Sequence, residues 1–404
     1  MSTGILARLR ALLGEQGASA GSDGVPYALP DSVETLAQVC HVAHAEGWRV
    51  RVEGRGSWLR PDAPADLAIS TRALDRVPEV SPADLVATVQ AGTPLDALQR
   101  RLAEQELWLP LDPPGRRDRT LGSLLATATA GPLRLGLGSI RDYVLGCSVV
   151  TGDGRVIRAG GKVMKNVAGY DLTRLQVGGF GAFGIIAEAH LKLRAVPGAD
   201  VTLLARGARD DLTAAARGAS EAGVSCAAME LFSPTLAADQ SWVLAARCLG
   251  TDAAVEAEVR RLQAAARLSW APLDAAASAT FWAMTAQGMA GAATTVRFGV
   301  LADGLDDLLD LVTRDLTEGC ITAGAISGGV RWGGQVTADR LRTLRRILAE
   351  REVPMTLERA PWELRHELGH FGAYREGVGQ LVSGLRDAFD PGHILSVALE
   401  GAGT

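Results

Sequence analysis

Two short spacings in this 404-residue chain spell recognisable chemistry. His366-Glu367-Leu368-Gly369-His370 has the order H-E-x-x-H. On a helix that order sets two imidazoles on one face, ready for a metal ion, with the glutamate as general base. Gly369 and Gly372 weaken such a helix, and Ala373 and Glu376 stand where the longer motif places glycine and a third histidine. Glu376 or Glu400 would have to supply the third ligand, so no metal site is expected. Gly179-Phe180-Gly181-Ala182-Phe183-Gly184 spells G-x-G-x-x-G. That loop carries a pyrophosphate where a strand enters and a helix leaves, because the helix N-terminus faces the phosphates. Here the order is reversed. Residues 171–176 read as helical and 184–193 alternate like a strand, so the glycines instead let the backbone pass close to a ligand lying across the start of a strand.

A third candidate is Gly54-Arg55-Gly56-Ser57-Trp58, which follows an alternating run over 48–52. A glycine loop at the carboxyl end of a strand leaves amides free to converge on an anion, though an ordinary turn has the same composition. Between Gly122 and Gly131 large side chains are scarce. A helix made of such residues can approach a planar ring system or a pyrophosphate, or pack tightly on a sheet. No G-x-S-x-G occurs. His41, His44, His190 and His393 have no partner spacing, and Trp270, Trp282 and Trp332 read as core or interface. The five cysteines are scattered and never spaced C-x-x-C, which points to neither disulfides nor an iron-sulfur site.

The elements that must position these residues follow from pattern. A net charge of −5 argues against a nucleic-acid partner, and no run approaches the roughly 18 apolar residues of a membrane span. A cytoplasmic location is expected. Residues 1–24 read as an N-terminal tail, whose short amphipathic first stretch is a surface helix or a loose segment and whose residues 18–24 are a flexible linker, with a first domain over 25–197. That domain holds a helix after Asp31, strands at 67–70 and 85–90, a helix over 95–106 opened by Thr93-Pro94, and a hairpin turning at Gly152-Asp153-Gly154. From 198 to 360 long alanine-rich helices alternate with short strands, which predicts an α+β domain with helices on one face of an antiparallel sheet. Residues 361–404 read as a helical segment returning towards the first domain.

Four blocks taken together carry a resemblance: Gly54 to Ser57, Thr120 to Ser123, Gly138 to Gly146, and Lys165 to Asp171 continuing through Gly178 to Ile186. In this order they resemble the FAD-binding domain of the vanillyl-alcohol oxidase (PCMH) type, and the run 163–175 is similar to the FAD-binding E-subunit family of bacterial glycolate oxidases. The resemblance implies an α+β fold of two α/β subdomains followed by a domain with an antiparallel sheet. It implies non-covalent FAD, since no histidine lies in 54–58. Its implied FAD contacts are Gly54, Arg55, Gly56, Ser57, Trp58, Thr120, Leu121, Gly122, Ser123, Thr127, Gly131, Ser139, Gly184 and Ile186. Ser123 and Ala182 stand where the family often has glycine and threonine, and the C-terminal pattern is shortened to Asp390-Pro391-Gly392-His393-Ile394-Leu395.

The resemblance further implies a glycolate oxidase complex with a sister FAD-linked subunit, an iron-sulfur subunit and peripheral membrane association through that complex. Its substrate would be a small 2-hydroxy acid. The H-x-x-D-G-N-x-H segment of related dehydrogenases is absent. Arg297, Arg331, Arg359, His366 and His370 are the candidates for a carboxylate clamp and a base. Two alternatives stay open: a stand-alone flavin dehydrogenase for another hydroxy acid, and a flavin-free scaffold that only assembles the complex.

Overall fold

The computed structural model describes residues 2–162, 171–372 and 374–395, so the signature from Lys165 to Tyr170 lies outside the described residues. The chain begins with a helix, Ser2–Leu13, the first of the two forms its amphipathic pattern allowed. Its Ile5 and Leu9, four residues apart, share one face and bury in the same core as Leu36, Val39 and Cys40 of the helix Val33–Glu46. The expected linker is likewise structured. Ala18–Ala20 pairs antiparallel with Pro26–Ala28, and the Gly21 to Gly24 turn between them is closed by backbone hydrogen bonds.

Pro26–Ala28 then runs parallel to Leu67–Ser70, which runs parallel to Val50–Glu53. These form a four-stranded sheet ordered 18–20, 26–28, 67–70, 50–53. A five-stranded antiparallel sheet follows, ordered 79–81, 86–90, 185–192, 144–150, 156–160. The hairpin between Val144–Val150 and Val156–Gly160 turns where the glycine-aspartate-glycine signal placed it. The helix after Thr93 starts at Leu95 and ends at Ala103; Pro94 is its cap, and the Thr93 hydroxyl instead donates to Arg76 O at 3.3 Å.

Leu107–Trp108 pairs antiparallel with Arg194–Ala195, and a further sheet has eight strands, all antiparallel, from Ala271–Leu273 at one edge to Met355–Arg359 at the other. Helices cover both of its faces, not one. Arg209–Glu221, Asp252–Ala265, Leu305–Asp315 and Ala338–Glu350 share a core with alternate residues such as Leu203, Leu231, Leu244 and Phe298. The intervening residues Leu204, Phe232, Val243 and Ala245 face the opposite way, against Phe281 and Trp282 of the helix Ala275–Gln287. The period of two along each strand thus feeds two cores. On this second face the sheet also meets the first domain: Gly136 N donates to Ala227 O (3.0 Å) and Gly115 N to Ala286 O (2.7 Å).

The chain then returns. The region 362–389 is broken into two helices, Trp362–Leu368 and Val378–Phe389. Arg365 pairs with Asp62, and Trp362 N donates to Asp62 at 3.1 Å. Buried Asp390 accepts from Ile394 N and Leu395 N at 3.0 Å each, which folds the shortened terminal pattern so that Leu395 bridges Val50. The strand that feeds the 54–58 loop is therefore held from the far end of the chain.

Candidate functional site

Two cavities lie side by side along the small-residue segment that starts at Gly122. The first is walled by the loop 53–61, by Gly122, Ser123, Ala126 and Thr127, and by Phe180, Gly181, Gly184, Ile185 and Ile186. Among the described residues, no hydrogen bond within the chain takes up the amides of Arg55, Gly56 or Ser57. Gly56 sits at φ 64, in the left-handed region, within the loop that lines the cavity. The strand at 185–192 has lost its neighbour here: the strand 86–90 ends opposite Glu188, so one edge of Ile185 and Ile186 faces the cavity. Unpaired amides, an open strand edge and the arginines Arg51, Arg55 and Arg60 around one carboxylate, Glu53, make a wall suited to a polyanion. The Trp58 indole N–H, buried in that wall, has no partner among the described residues.

The glycines here serve internal packing as well as access. A Cβ on Gly122 would lie 2.9 Å from the Ala91 Cβ, one on Gly54 would strike the Thr120 side chain, and one on Gly184 would lie 2.7 Å from both Val149 Cγ1 and Val150 O. The wall is locked from behind by Arg119, which is fully buried. Its guanidinium stacks on the Trp58 ring at 4.3 Å and donates to Pro114 O (2.7 Å) and to Thr127 and Thr129 Oγ1 (3.2 Å each). Burial pushes its pKa down to about 9, against the pull of Glu358. Sequence reading missed Arg119, because nothing in its spacing distinguishes it from the neighbouring exposed arginines.

Of the residues implied as FAD contacts, Gly54, Arg55, Gly56, Ser57, Trp58, Gly122, Ser123, Thr127, Gly184 and Ile186 meet at this cavity. Four lie elsewhere. Thr120 caps the helix Leu121–Thr127 by accepting from Ser123 N at 3.3 Å, and Leu121 is in the core. The Ser139 hydroxyl and amide are both spent on Asp142, at 2.8 and 2.7 Å. Gly131 lines the second cavity.

That second cavity holds about 80 Å³, several times the ~10–15 Å³ one water needs. It lies between the 112–134 region and the eight-stranded sheet, and its charged lining is Asp112, Arg134, Glu230, Arg297 and Arg331. Arg297 and Arg331 reach the carbonyls of Ala128 (3.4 Å) and Ala130 (3.5 Å), on the segment that continues from Thr127. Both also pair with Glu358, at 3.4 and 2.8 Å. Burial alone would push the Glu358 carboxyl up, but the two guanidinium groups hold it below the ordinary range. Burial pushes Asp112 up to about 7, although it accepts the Leu133 amide, and pushes Glu230 up to about 8, although it accepts from the Thr322 hydroxyl. A carboxyl near neutrality suits proton transfer at physiological pH. Asp112, Glu230 and Glu358 were invisible in the sequence, being single carboxylates on three distant elements.

The histidine pair does not meet here. The helix Trp362–Leu368 ends before His370, and Gly369 turns away from it, so the two imidazoles do not share a helical face. His366 stacks on Trp362 at 5.2 Å, and His370 is buried beside Phe180 with Nδ1 2.7 Å from Leu357 O. Arg359 donates to Ala290 O and lies outside both cavity walls.

Residues 26–160 match the model of the family described as FAD binding domain. The chain carries an FAD-binding domain of the PCMH type, and FAD is its cofactor. Over 123 residues it is 44% identical to glycolate oxidase subunit GlcE of Escherichia coli (strain K12), covering 30% of this chain and 35% of that one. It is 40% identical over 139 residues to glycolate oxidase subunit GlcD of Bacillus subtilis (strain 168), covering 34% and 30%. It is also 35% identical over 182 residues to D-2-hydroxyglutarate dehydrogenase of Xanthomonas citri pv. viticola, covering 44% and 39%. The chain thus spans about a third of the length of these relatives. A solved structure of alkyldihydroxyacetonephosphate synthase superposes with a TM-score of 0.75 over 98% of this chain and 85% of that one. At 15% identity, that likeness shows the shared fold.

Proposed function

We propose that the chain is an FAD-binding oxidoreductase subunit of a glycolate oxidase type of assembly, oxidising a small 2-hydroxy acid such as glycolate to its 2-oxo acid. The observation that carries this reading is the position of the arginine-lined pocket. It abuts the 128–131 segment, which leads directly out of the wall of the FAD cavity. The named activities of the relatives supply the substrate class. FAD, when bound, supplies a two-electron acceptor for the hydrogen removed from the carbinol carbon.

The chain's own residues have separable tasks. The amides of 55–57, Ser123, Thr127 and the edge at Ile186 hold the cofactor, without a covalent link because no histidine lies in the loop. Arg331 uses Nε and Nη2 on Glu358 and keeps Nη1 for a ligand; Arg297 spends Nε on Glu358 and Nη1 on Ala128 O. A bound carboxylate is thereby oriented by cations already fixed in place, so little ordering entropy is spent on binding. The Glu358 counter-charge stabilises the pair of arginines without entering the pocket. Asp112, ionised while Glu230 carries the proton, is the candidate acceptor for the hydroxyl proton.

In this reading a sister FAD-linked subunit and an iron-sulfur subunit complete the assembly and pass electrons onward, and the whole is cytoplasmic with a peripheral contact at the membrane. Among the described residues no helix is long and apolar enough to cross a membrane. The test is to purify the chain alone and with its co-expressed partners, then follow dye reduction by glycolate and D-lactate. Turnover only in the assembly supports the subunit role, while turnover by the isolated chain favours a stand-alone dehydrogenase. A colourless chain that binds no added FAD would sink both.

A further inference from the structure

The pocket between the first domain and the eight-stranded sheet carries more acid than a carboxylate site needs. Asp112 comes from the loop before the small-residue helix and Glu230 from the central strand Ala228–Phe232, and both line the same cavity as Arg331. We propose that Asp112, Glu230 and Arg331 form a proton-linked subsite for a small carboxylate, in which the ligand binds on the arginine side and the acid pair takes up a proton. This deepens the reading of the pocket as the 2-hydroxy-acid site and rests on it.

The cavity is lined by Arg134, Arg297 and Arg331 against Asp112 and Glu230, with Glu358 paired behind the arginines and buried Arg119 close enough to feel its charge. Ionised, Asp112 and Glu230 offset the guanidinium groups and weaken the attraction for an incoming anion. Protonating both makes the surroundings more positive by two charges. A buried cavity amplifies that difference, because the local dielectric is low.

The partners of each acid fix where the switch lies. Glu230 accepts from Thr322 and feels the Arg331 charge, both of which favour the carboxylate; burial and the Asp112 charge oppose them and win. Asp112 accepts Leu133 N–H at 3.0 and 3.2 Å and feels Arg247 and Arg331, but burial outweighs them. Arg247 is itself tied to Asp200. Both acids therefore change charge near neutrality, and each one's ionisation disfavours the other's. An anion bound on the arginine side adds a like charge near both acids and draws a proton in. By linkage, the affinity for the anion must fall as pH rises.

Oxalate is the probe, because it has the carboxylate but no carbon-bound hydrogen to lose. It is titrated calorimetrically into the full-length FAD-loaded chain in buffers of different ionisation enthalpy. The expected result is net proton uptake near about pH 7.5 and an affinity that weakens about tenfold between about pH 6.5 and 8.5. Glu230→Gln and Asp112→Asn should each reduce the uptake and flatten the pH dependence. Binding without proton uptake, uptake unchanged in both variants, or no oxalate binding would each overturn the subsite.

If either variant fails to fold, Thr322→Val serves instead. It removes the hydroxyl that favours ionised Glu230 and should move the uptake to higher pH, and an unmoved profile counts against the proposal. The dye assay separates this from the functional reading. A chain or assembly that oxidises glycolate while oxalate binds without protons refutes only the subsite. Proton-linked oxalate binding without oxidation of any 2-hydroxy acid refutes only the function.

Discussion

The two cavities are built from opposite materials. The cavity proposed for FAD is made of backbone: amides at 55–57 unpaired among the described residues, an open strand edge at 185–186, and small residues that let chain segments touch. The neighbouring pocket is made of side chains, with charges drawn from Asp112, Arg134, Glu230, Arg297 and Arg331 and with Glu358 behind them. A backbone site depends on conformation, so it tolerates changes of side chain but not of φ. A side-chain site depends on charge balance, so a single neutralised group reaches all its neighbours. Substitutions in the two regions should therefore fail in different ways.

The largest effect is expected at Glu358. It is fully buried and is the shared partner of Arg297 and Arg331. Glu358→Gln takes from buried Arg331 and half-buried Arg297 the carboxylate they share, which should cost about 3–5 kcal/mol, read as a drop in the urea midpoint. The sign with pH follows from the direction of the shift. The folded-state pKa of Glu358 lies below its ordinary value, so its contribution is present at neutral pH and is lost as pH falls through the folded pKa. Wild type should accordingly lose stability on acidification more steeply than the variant. Equal slopes would show that the triad is not the electrostatic centre of the pocket.

Next in size is Gly184→Val, the corresponding break in the backbone site. Gly184 has φ 123, and a Cβ there meets both Val149 and Val150 at 2.7 Å. Strain and overpacking together should cost about 2–4 kcal/mol and should release flavin, measured as lost visible absorbance after gel filtration. Retained flavin in a folded variant would mean that the strand edge is not part of the cradle.

This contrast also explains what the sequence could reveal. The glycine loop at 54–58, the hairpin turn at Gly152-Asp153-Gly154 and the reversed helix-to-strand order around Gly184 were legible, because turns and close approaches are written locally in residue type. At the N-terminus the pattern leaves packed helix and loose tail open, because an amphipathic stretch looks the same whether it packs or floats; burial of Ile5 and Leu9 decides it. The eight-stranded sheet was expected to have helices on one face. Its central strands are buried at successive positions, as in Ala228–Phe232, so both faces must be covered, and the Ala275–Gln287 helix covers the second. The charged pocket was only half legible. Arg297 and Arg331 stood among many arginines, and the acids that complete them come from strands and loops hundreds of residues apart, a juxtaposition that only topology creates.

Gly56→Trp should then uncouple flavin binding from folding. Gly56 is exposed, and a Cβ there would find only Pro61, at 3.5 Å, so an indole has room outward but occupies the phosphate side of the loop. Adopting φ 64 with a bulky residue costs about 1 kcal/mol. The expected outcome is a folded, colourless protein that still binds oxalate, and full flavin occupancy would refute the assignment of the loop.

The smallest effect belongs to Arg134, and it tests whether the second cavity draws anions from solution. Arg134 is exposed at the rim and makes no ion pair among the described residues. Its field is therefore open to counter-ions, unlike that of buried Arg331. Arg134→Gln should leave flavin content and unfolding midpoint unchanged and weaken oxalate about threefold at low salt. The deficit should vanish at roughly 0.5 M salt, where the Debye length shrinks to a few ångströms. A loss that persists in high salt would place Arg134 in direct contact with the ligand. The anion would then be gripped across the mouth of the cavity as well as on its sheet face, and the division between a charged interior and a screened rim would fail.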